Sequence, residues 1–259
     1  MKVIFIKKRR LLTVLALVFL LTLCFVGGLG RSASAVYLAS TNRELPIYNV
    51  QTDESKCAIS FDAAWGADKT LAIINTCKKY NVKATFFLVG FWVEENLETA
   101  KQIVDNGFEV GLHSNTHRDL AKLSADEIRA DISKNIEIIK TNLGVEPKLI
   151  RVPYGSYNDR VITTLRDMNL QVVQWDVDSL DWKGLSSAQI AGRINSRAKA
   201  GSIILCHNNA DNIVPALTLV FENLKNKNLT VVPVGELIYT DNYTINNQGT
   251  QIKNKGKII

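Results

Sequence analysis

The chain has 259 residues, of which 46% are hydrophobic and 22% are charged, values typical of a globular protein with one large domain or two small ones. Its formal net charge is +6, but the positive excess lies in residues 1–52 and 241–259, and the body between them is close to neutral. A neutral body has no basic stripe with which to follow a phosphate backbone, so no nucleic-acid partner is expected.

A basic flank and a long apolar segment open the chain. Residues 7–10 are Lys-Lys-Arg-Arg, and residues 11–30, an apolar run to Val26 followed by Gly-Gly-Leu-Gly, form an uncharged stretch of about one bilayer's length. The positive-inside rule places the flank in the cytosol and the body outside it. A cleaved signal peptide is the alternative, because residues 33–35 have the Ala-Ser-Ala form of a cleavage site. Residues 1–35 are therefore predicted to be a single-pass membrane anchor or a signal peptide, with the body exported in either case.

Strands alternate with helices through the body of the chain. Residues 36–53 are polar and irregular and are predicted to be a linker, residues 54–238 to form one domain, and residues 239–259 to be a polar disordered tail. Capping boxes at Ser124 and Ser186 mark two helix starts. The strand–helix alternation repeats about seven times with strands that are apolar throughout. This pattern predicts an α/β fold with a parallel sheet closed, or nearly closed, into a barrel.

Unusual polar side chains follow the ends of these strands, where barrels of this kind carry their chemistry. His113 and His117 stand four residues apart after one strand, and neutral imidazoles are good ligands for Zn²⁺ and similar ions. The alternative is that they are two solvated loop histidines. The complete set of such residues is Asp62, His113, His117, Arg151, Asp178, Asp181 and His207.

These residue types suit the hydrolysis of an amide or an ester. Asp62 could deprotonate a metal-bound water or bind the metal, and His207 could protonate the leaving group. Arg151 would hold a carboxylate in its ionised form. Asp178 or Asp181 would raise the pKa of His207. Two aromatic residues offer flat surfaces for a sugar ring, namely Tyr154 and Trp182.

Five short motifs occur in a characteristic order. They are Ser-Phe-Asp-Ala-Ala-Trp-Gly at 60–66, His-Ser-Asn-Thr-His at 113–117, Arg-Val-Pro-Tyr-Gly at 151–155, Asp-Ser-Leu-Asp-Trp at 178–182 and Leu-Cys-His at 205–207. On these motifs the chain resembles the polysaccharide deacetylases, the NodB-homology proteins of carbohydrate esterase family 4, over roughly residues 54–235. The resemblance implies a distorted (β/α)7 barrel and a metal-dependent removal of acetyl groups from N-acetylated sugars.

The resemblance also implies a role for each of these residues. Asp62 would be the general base and His207 the general acid. The metal ligands would be His113 and His117. The supporting roles would fall to Arg151, which orients Asp62, to Asp181, which tunes His207, to Tyr154, whose backbone N–H helps to hold the oxyanion, and to Trp182 and Leu205, which shape the acetyl pocket.

The chain departs from the family pattern at Ala63, where the family usually has a second aspartate that serves as the third metal ligand. Three arrangements are then open. Either Asp62 serves as a metal ligand, or a water molecule takes the place of the missing ligand, or the site holds no metal. With the first of these, the ligand set would be Asp62, His113 and His117, and the divalent ion expected is zinc. The loop that contains Trp65 resembles a sporulation-associated, PdaB-like branch of the family, although Trp65 and Trp175 are expected to pack rather than to contact substrate.

Two functions are consistent with these residues. The first is a monomeric, exported deacetylase at the cell membrane that acts on peptidoglycan or a related N-acetylhexosamine glycan, in the formation of the spore wall or cortex. The second is a catalytically degenerate barrel that binds glycan or a partner without turnover, because Ala63 replaces a metal ligand. Retention of Asp62, Arg151, Asp181 and His207 favours the first.

Overall fold

The computed structural model describes residues 43–254. The predicted anchor or signal peptide, residues 1–35, lies outside this range, as do residues 36–42 and 255–259. Within the described range, no helix has both the length and the apolar character needed to span a bilayer.

Short strands and longer helices alternate along the chain. The strands are β1 Asn49–Val50, β2 Lys56–Ala63, β3 Thr85–Leu88, β4 Glu109–Leu112, β5 Leu149–Ile150, β6 Gln171–Val172, β7 Val177–Asp178, β8 Ile203–His207, β9 Thr230–Val232, β10 Tyr243–Ile245 and β11 Thr250–Lys253. The helices are α1 Thr70–Lys79, α2 Gly90–Glu95, α3 Leu97–Asp105, α4 Ala125–Leu143, α5 Asp159–Asp167, α6 Ser187–Arg197, α7 Ile213–Asn226 and α8 Val234–Leu237. Three 3₁₀ turns also occur, at Leu120–Lys122, Pro153–Gly155 and Asp181–Lys183.

Eight strands form one parallel sheet, in the order β6-β5-β4-β3-β2-β8-β7, with β9 paired to the beginning of β2. Strand β2 lies in the middle and is the longest, at eight residues. Because every pairing in this sheet is parallel, the carboxyl ends of all its strands lie along one edge. That edge collects the loops that follow β2, β4, β5, β7 and β8.

Both faces of β2 are buried, which explains why apolar residues occur on both faces of the strand. Cys57, Ile59, Phe61 and Ala63 belong to the larger apolar cluster, together with residues of the helices. Ala58 belongs to a smaller cluster. Since successive side chains of a strand point to opposite faces, Ser60 and Asp62 share the face of Ala58.

The predicted α/β class with a parallel sheet is confirmed. The sheet is a curled half-barrel, where the sequence predicts a sheet closed or nearly closed and the resemblance implies a distorted (β/α)7 barrel. Within residues 43–254, no strand pairing joins the two edge strands β6 and β7. Residues 47–50 lie at this opening instead, where Ile47 bridges to Val173 and Asn49 bridges to Ser202.

The prediction of a disordered tail was wrong for the described residues beyond 239. Strands β10 and β11 pair antiparallel, and β1, which lies in the predicted linker, pairs parallel with β11. The side chain of Gln251 is buried and exchanges two hydrogen bonds with the backbone of Tyr239, at 2.8 and 2.7 Å. Long-range backbone pairing thus orders a polar segment whose composition is typical of disorder.

Both predicted capping boxes are present. Ser124 begins α4 by accepting a hydrogen bond from the backbone N–H of Glu127, and Glu127 in turn accepts one from the backbone N–H of Ser124. Helix α4 ends at Gly144, whose φ of 68° lies in the left-handed region that glycine adopts without strain. Ser186 begins α6 in the same way. Capping boxes can be predicted from sequence because they depend only on residues that are neighbours along the chain.

Candidate functional site

Asp62 and His207 lie side by side at the edge where the strands end. They are directly paired residues of the neighbouring parallel strands β2 and β8. Leu205 precedes His207 by two residues and therefore lies on the same face of β8. A carboxylate and an imidazole are thus held by the central strands of the sheet rather than by loops.

The Asp62 carboxylate is buried and paired with a buried arginine. Arg151 follows β5 and donates from Nη1 to Asp62 Oδ1 over 2.8 Å. Burial by itself would raise the pKa of Asp62, but the charge of Arg151 and the hydrogen bond that it donates outweigh burial, with smaller effects of the nearby His113 and His207, so the pKa lies below the usual value. Asp62 is therefore an ionised carboxylate at neutral pH, as a general base requires.

Arg151 is held from three directions. Its Nη2 donates to the backbone carbonyl of Gln174 over 3.0 Å. Its guanidinium carbon lies 4.3 Å from the ring centre of Phe87 and 5.6 Å from that of Trp175. A cation beside aromatic rings in a buried site is attracted to their electron-rich faces. Phe87 in turn packs against Gly111, where a β-carbon would come within 2.6 Å of the Phe87 ring.

His113 and His117 lie in a tight loop after β4. The loop has left-handed backbone at Ser114 (φ 66°) and at His117 (φ 54°), which is uncommon for residues other than glycine. The Ser114 hydroxyl accepts a hydrogen bond from the His117 backbone N–H at 2.7 Å. Asp131 of α4 accepts hydrogen bonds from the Asn115 backbone at 2.7 Å and from the Thr116 hydroxyl at 2.5 Å. These bonds fix both imidazoles, whose centres are 5.0 Å apart.

Both of these histidines are neutral at pH 7. Burial lowers the pKa of His113, and burial together with His113 lowers the pKa of His117 to about 4. His113 Nδ1 lies 2.8 Å from the carbonyl oxygen of Arg151, which can only accept a hydrogen bond. The proton of His113 therefore sits on Nδ1, and the lone pair of Nε2 faces Asp62, whose Oδ2 is 3.6 Å away.

His207 has the opposite protonation preference. Asp181 accepts from the Nδ1 of His207 at 2.7 Å and from its backbone N–H, also at 2.7 Å. Burial alone would lower the pKa of His207, but the hydrogen bond and charge of Asp181 outweigh it, so the pKa is raised. Asp178 acts on the imidazole only through its charge, which raises the pKa of His207 to a smaller extent, while its Oδ1 accepts from the backbone N–H of Leu180. Of the two candidate partners, the structure thus brings Asp181 to His207.

Three exposed aromatic side chains come from the loops around this edge. Tyr154 is 67% exposed, and its hydroxyl lies 3.1 Å from His117 Nδ1. Trp182, next to Asp181, is 60% exposed. Trp65, expected to pack, is 56% exposed, whereas Trp175 is partly buried beside Arg151.

Comparison with known proteins identifies the family. The family described as polysaccharide deacetylase matches residues 49–173. A peptidoglycan-N-acetylglucosamine deacetylase of Bacillus cereus is 34% identical over 192 residues, which are 73% of this chain and 70% of that protein. The chain belongs to the polysaccharide deacetylase family.

Other members of the family are similar over comparable lengths. The uncharacterized protein YlxY of Bacillus subtilis is 33% identical over 204 residues; the match covers 79% of this chain and spans 63% of YlxY. Among solved structures, a CE4 family pseudoenzyme from Bacillus anthracis is 34% identical with a TM-score of 0.72, covering 76% of this chain and 69% of that one. A mutant of the same protein, described as having restored enzymatic activity, matches at 35% identity with the same TM-score.

Polysaccharide deacetylases are expected to bind a divalent metal, and the residues here fit that expectation in part. His113 and His117 supply two neutral imidazoles. The third donor of the family pattern is missing, because residue 63 is alanine. Of the two Asp62 oxygens, one accepts from Arg151 and the other lies 3.6 Å from His113 Nε2. Within residues 43–254, no three His, Cys, Asp or Glu side chains are grouped so that they could hold a metal. The predicted ligand set of Asp62, His113 and His117 is therefore not arranged as a site, whereas catalytic zinc usually has three protein ligands.

Ala63 occupies the place where the family pattern has its second aspartate. It is fully buried, and it belongs to the larger apolar cluster with Phe61, Leu88 and Trp92. A carboxylate added at this position would be taken out of water, at considerable cost unless a cation neutralised it. The alanine thus suits a site in which no metal depends on this position.

Sequence reasoning missed several residues that shape the site. The contacts of Phe87 and Trp175 with Arg151 join strands that are far apart in sequence, and no local pattern indicates them. Asp131 and Asn135 did leave a signal, since both fall among the buried positions of the amphipathic helix α4. Polar residues on the buried side of a helix need partners, and the loop after β4 supplies them for Asp131.

Proposed function

We propose that this polysaccharide deacetylase is an exported enzyme that hydrolyses the N-acetyl groups of peptidoglycan-type glycan. The observation that carries the proposal is the pairing of Asp62 with His207, since Arg151 keeps Asp62 ionised and Asp181 shifts His207 toward its protonated form. Two titratable groups whose pKa values are pushed in opposite directions are suited to the base and acid roles of a hydrolysis. The similarity to the Bacillus cereus peptidoglycan deacetylase supports this choice of substrate.

In the proposed reaction, Asp62 removes a proton from the attacking water. The water oxygen bonds to the acetyl carbon, and the backbone N–H of Tyr154 stabilises the resulting oxyanion. His207 then donates the proton on Nε2 to the amide nitrogen, because its Nδ1 is already bonded to Asp181. The carbon–nitrogen bond breaks to give acetate and a free amine on the sugar. Each such proton transfer contributes about 10²–10⁴-fold to the rate of an enzyme.

No step is assigned to a metal ion, since the donors in this site are one short of a usual set. Leu205 and Trp182 are proposed to shape the acetyl pocket, as the family resemblance implies. We further propose that residues 1–35 hold the enzyme at the outer side of the cell membrane as a monomer, and that it acts during formation of the spore wall.

A second function is favoured by one specific observation, the replacement of the third ligand by Ala63. In that alternative the domain binds glycan without turnover, and Asp62 and His207 are remnants of an active ancestor. The similarity to a structure described as a pseudoenzyme supports this alternative.

One set of measurements separates the two functions. Acetate release from N-acetylated muropeptides and from chitooligosaccharides is measured for the wild type and for Ala63→Asp, together with metal content by elemental analysis. Acetate release by the wild type would establish the deacetylase, whereas release by the variant alone would contradict the deacetylase and support the binding function.

The control variant Ala64→Asp adds the same charge one residue further along the chain. It should not gain activity or metal. We also expect Ala63→Asp to be less stable than the wild type in the presence of a chelator, because its new carboxylate is buried, and to be stabilised by added zinc. If zinc left the melting temperature of Ala63→Asp unchanged, residue 63 would not be near enough to supply the missing ligand.

A further inference from the structure

Trp65 is an exposed aromatic residue that the reaction proposed above does not use. It lies two residues beyond the end of β2, in the loop that follows Asp62. Its side chain is 56% exposed, although tryptophan is usually among the more buried residues. A single exposed apolar side chain is ordinary on a flexible surface, so the question is whether this loop is flexible.

The backbone next to Trp65 is tied down by buried donors. The carbonyl of Gly66 accepts a hydrogen bond from Trp92 Nε1 at 2.7 Å and another from Asn208 Nδ2 at 2.8 Å. Both donating residues are fully buried. Gly66 itself has a φ of 62°, in the left-handed region that glycine adopts without strain, and the backbone turns at this residue. The Asn208 backbone N–H also donates to the carbonyl of Asp62.

The Trp65 ring is therefore presented by a fixed loop, and it lies beside the site. Its centre is 4.6 Å from that of His117, with the two planes at 73°. Tyr154 contacts the same imidazole at 4.7 Å and 70°. Two exposed aromatic rings thus flank His117 while leaving much of their own surface in water.

We propose that Trp65 is a substrate-binding residue that stacks against a hexopyranose ring of the glycan. The inference rests on the proposed function for the identity of the ligand. The C–H groups on the face of a pyranose are weakly positive and apolar, and the face of an indole ring is electron-rich and apolar, so the two surfaces attract each other and exclude water. A rigid aromatic ring loses little conformational freedom on binding, which makes it an efficient contact.

The test is a titration of the full chain with chitotetraose by isothermal calorimetry. Trp65→Ala should bind about tenfold more weakly than the wild type, which corresponds to about 1.4 kcal/mol. Trp65→Phe keeps a flat ring and should recover most of the affinity. Leu71→Ala removes another exposed apolar side chain, 48% exposed, from α1 and should leave the affinity unchanged. In the turnover assay, Trp65→Ala should raise KM and leave kcat nearly unaltered.

Thermal unfolding of each variant verifies that the loop change leaves the fold intact. Equal affinities of wild type and Trp65→Ala would overturn the inference. So would a loss of kcat at unchanged affinity, since Trp65 would then act on His117 instead of on the sugar. If the wild type bound chitotetraose without turnover, the proposed deacetylase reaction would be contradicted, but the proposed role of Trp65 in binding would still hold. No binding by the wild type would overturn both.

Discussion

The two proton-transfer pairs of the site are built differently, although they sit on neighbouring strands. On the base side, Asp62 and Arg151 are both buried, and Arg151 lies between aromatic rings. On the acid side, Asp181 is buried but the His207 side chain is 27% exposed. The base is thus part of the interior, whereas the acid stands at its boundary.

Because of this difference in burial, substitutions in the two pairs should affect the stability of the fold and the rate of the reaction to different extents. A buried ion pair contributes little net stability, yet removing one partner is costly because the other charge stays unpaired in the interior. When the partly exposed imidazole is removed, the buried Asp181 carboxylate keeps the hydrogen bond from the backbone N–H of residue 207, and water can enter the space that the ring leaves. We therefore expect changes on the base side to weaken the fold and changes on the acid side to weaken the reaction.

The largest effect is expected for His207→Ala on turnover. Without the general acid, the amine must leave unprotonated, and kcat for acetate release should fall by about 10²–10⁴-fold. The melting temperature should change little. His207→Gln, which keeps a polar side chain but cannot transfer a proton at neutral pH, should lose as much. A fully active variant would remove His207 from the mechanism.

Arg151→Met should have the largest effect on stability, because the buried Asp62 loses its partner while the methionine keeps the contacts with Phe87. The free energy of unfolding, measured with urea at pH 7, should fall by about 3–5 kcal/mol. The pKa of Asp62 is lowered in the folded state, so the pair contributes stability above the unfolded-state pKa of about 4, and this contribution is lost as the pH falls through the folded-state pKa. The difference in the free energy of unfolding between Arg151→Met and the wild type should therefore become smaller at acidic pH.

The matched control for that variant is Arg166→Met, which breaks an exposed ion pair with Glu44. Exposed pairs contribute at most about 1 kcal/mol, so the loss should be within that limit. Comparable losses for the two variants would contradict the distinction between the buried pair and the surface.

A smaller effect is expected from Asp181→Asn on the pH dependence. The pKa of His207 is raised by Asp181, so the alkaline limb of the kcat/KM profile should move to lower pH in the variant. The same pair stabilises the fold fully below the unfolded-state pKa of about 6.5, and this stabilisation is lost as the pH rises through the folded-state pKa. Asp178→Asn is the control. If both variants moved the limb equally, the contact of Asp181 with His207 would not be its cause.

The smallest effect is expected from Ser124→Ala, which removes the cap of α4 far from either pair. The free energy of unfolding should fall by about 1 kcal/mol. Turnover at 25 °C should stay at the wild-type level, because neither Asp62 nor His207 changes its surroundings. Ser186→Ala, at the equivalent cap of α6, should behave alike. Loss of activity in both would mean that general destabilisation is enough to disable the site.

The parts of the structure that the sequence predicted are those governed by short-range rules. Strand–helix alternation, the capping boxes at Ser124 and Ser186, and the delivery of polar residues to strand ends all follow from neighbours a few positions apart. The pairing of β1 with β11 could not be found in this way, since about 200 residues separate the two segments along the chain.

The candidate site follows the same division. Its reactive groups were predicted because histidine, arginine and aspartate stand out in apolar surroundings. Its supports were not, since Phe87 and Trp175 are ordinary strand residues whose contact with Arg151 depends on the curl of the sheet. The exposure of Trp65 was missed for a related reason, as it depends on the donors Trp92 and Asn208 from distant elements.

Gly111 has a consequence for how this site can vary. Directly paired with Phe87 across β3 and β4, it leaves no room for even a methyl group beside that ring. A larger residue at 111 would displace the ring from beneath the guanidinium and so disturb the charge that keeps Asp62 ionised. Positions 87 and 111 are therefore expected to change only together during evolution. A larger side chain at one position would require a smaller side chain at the other.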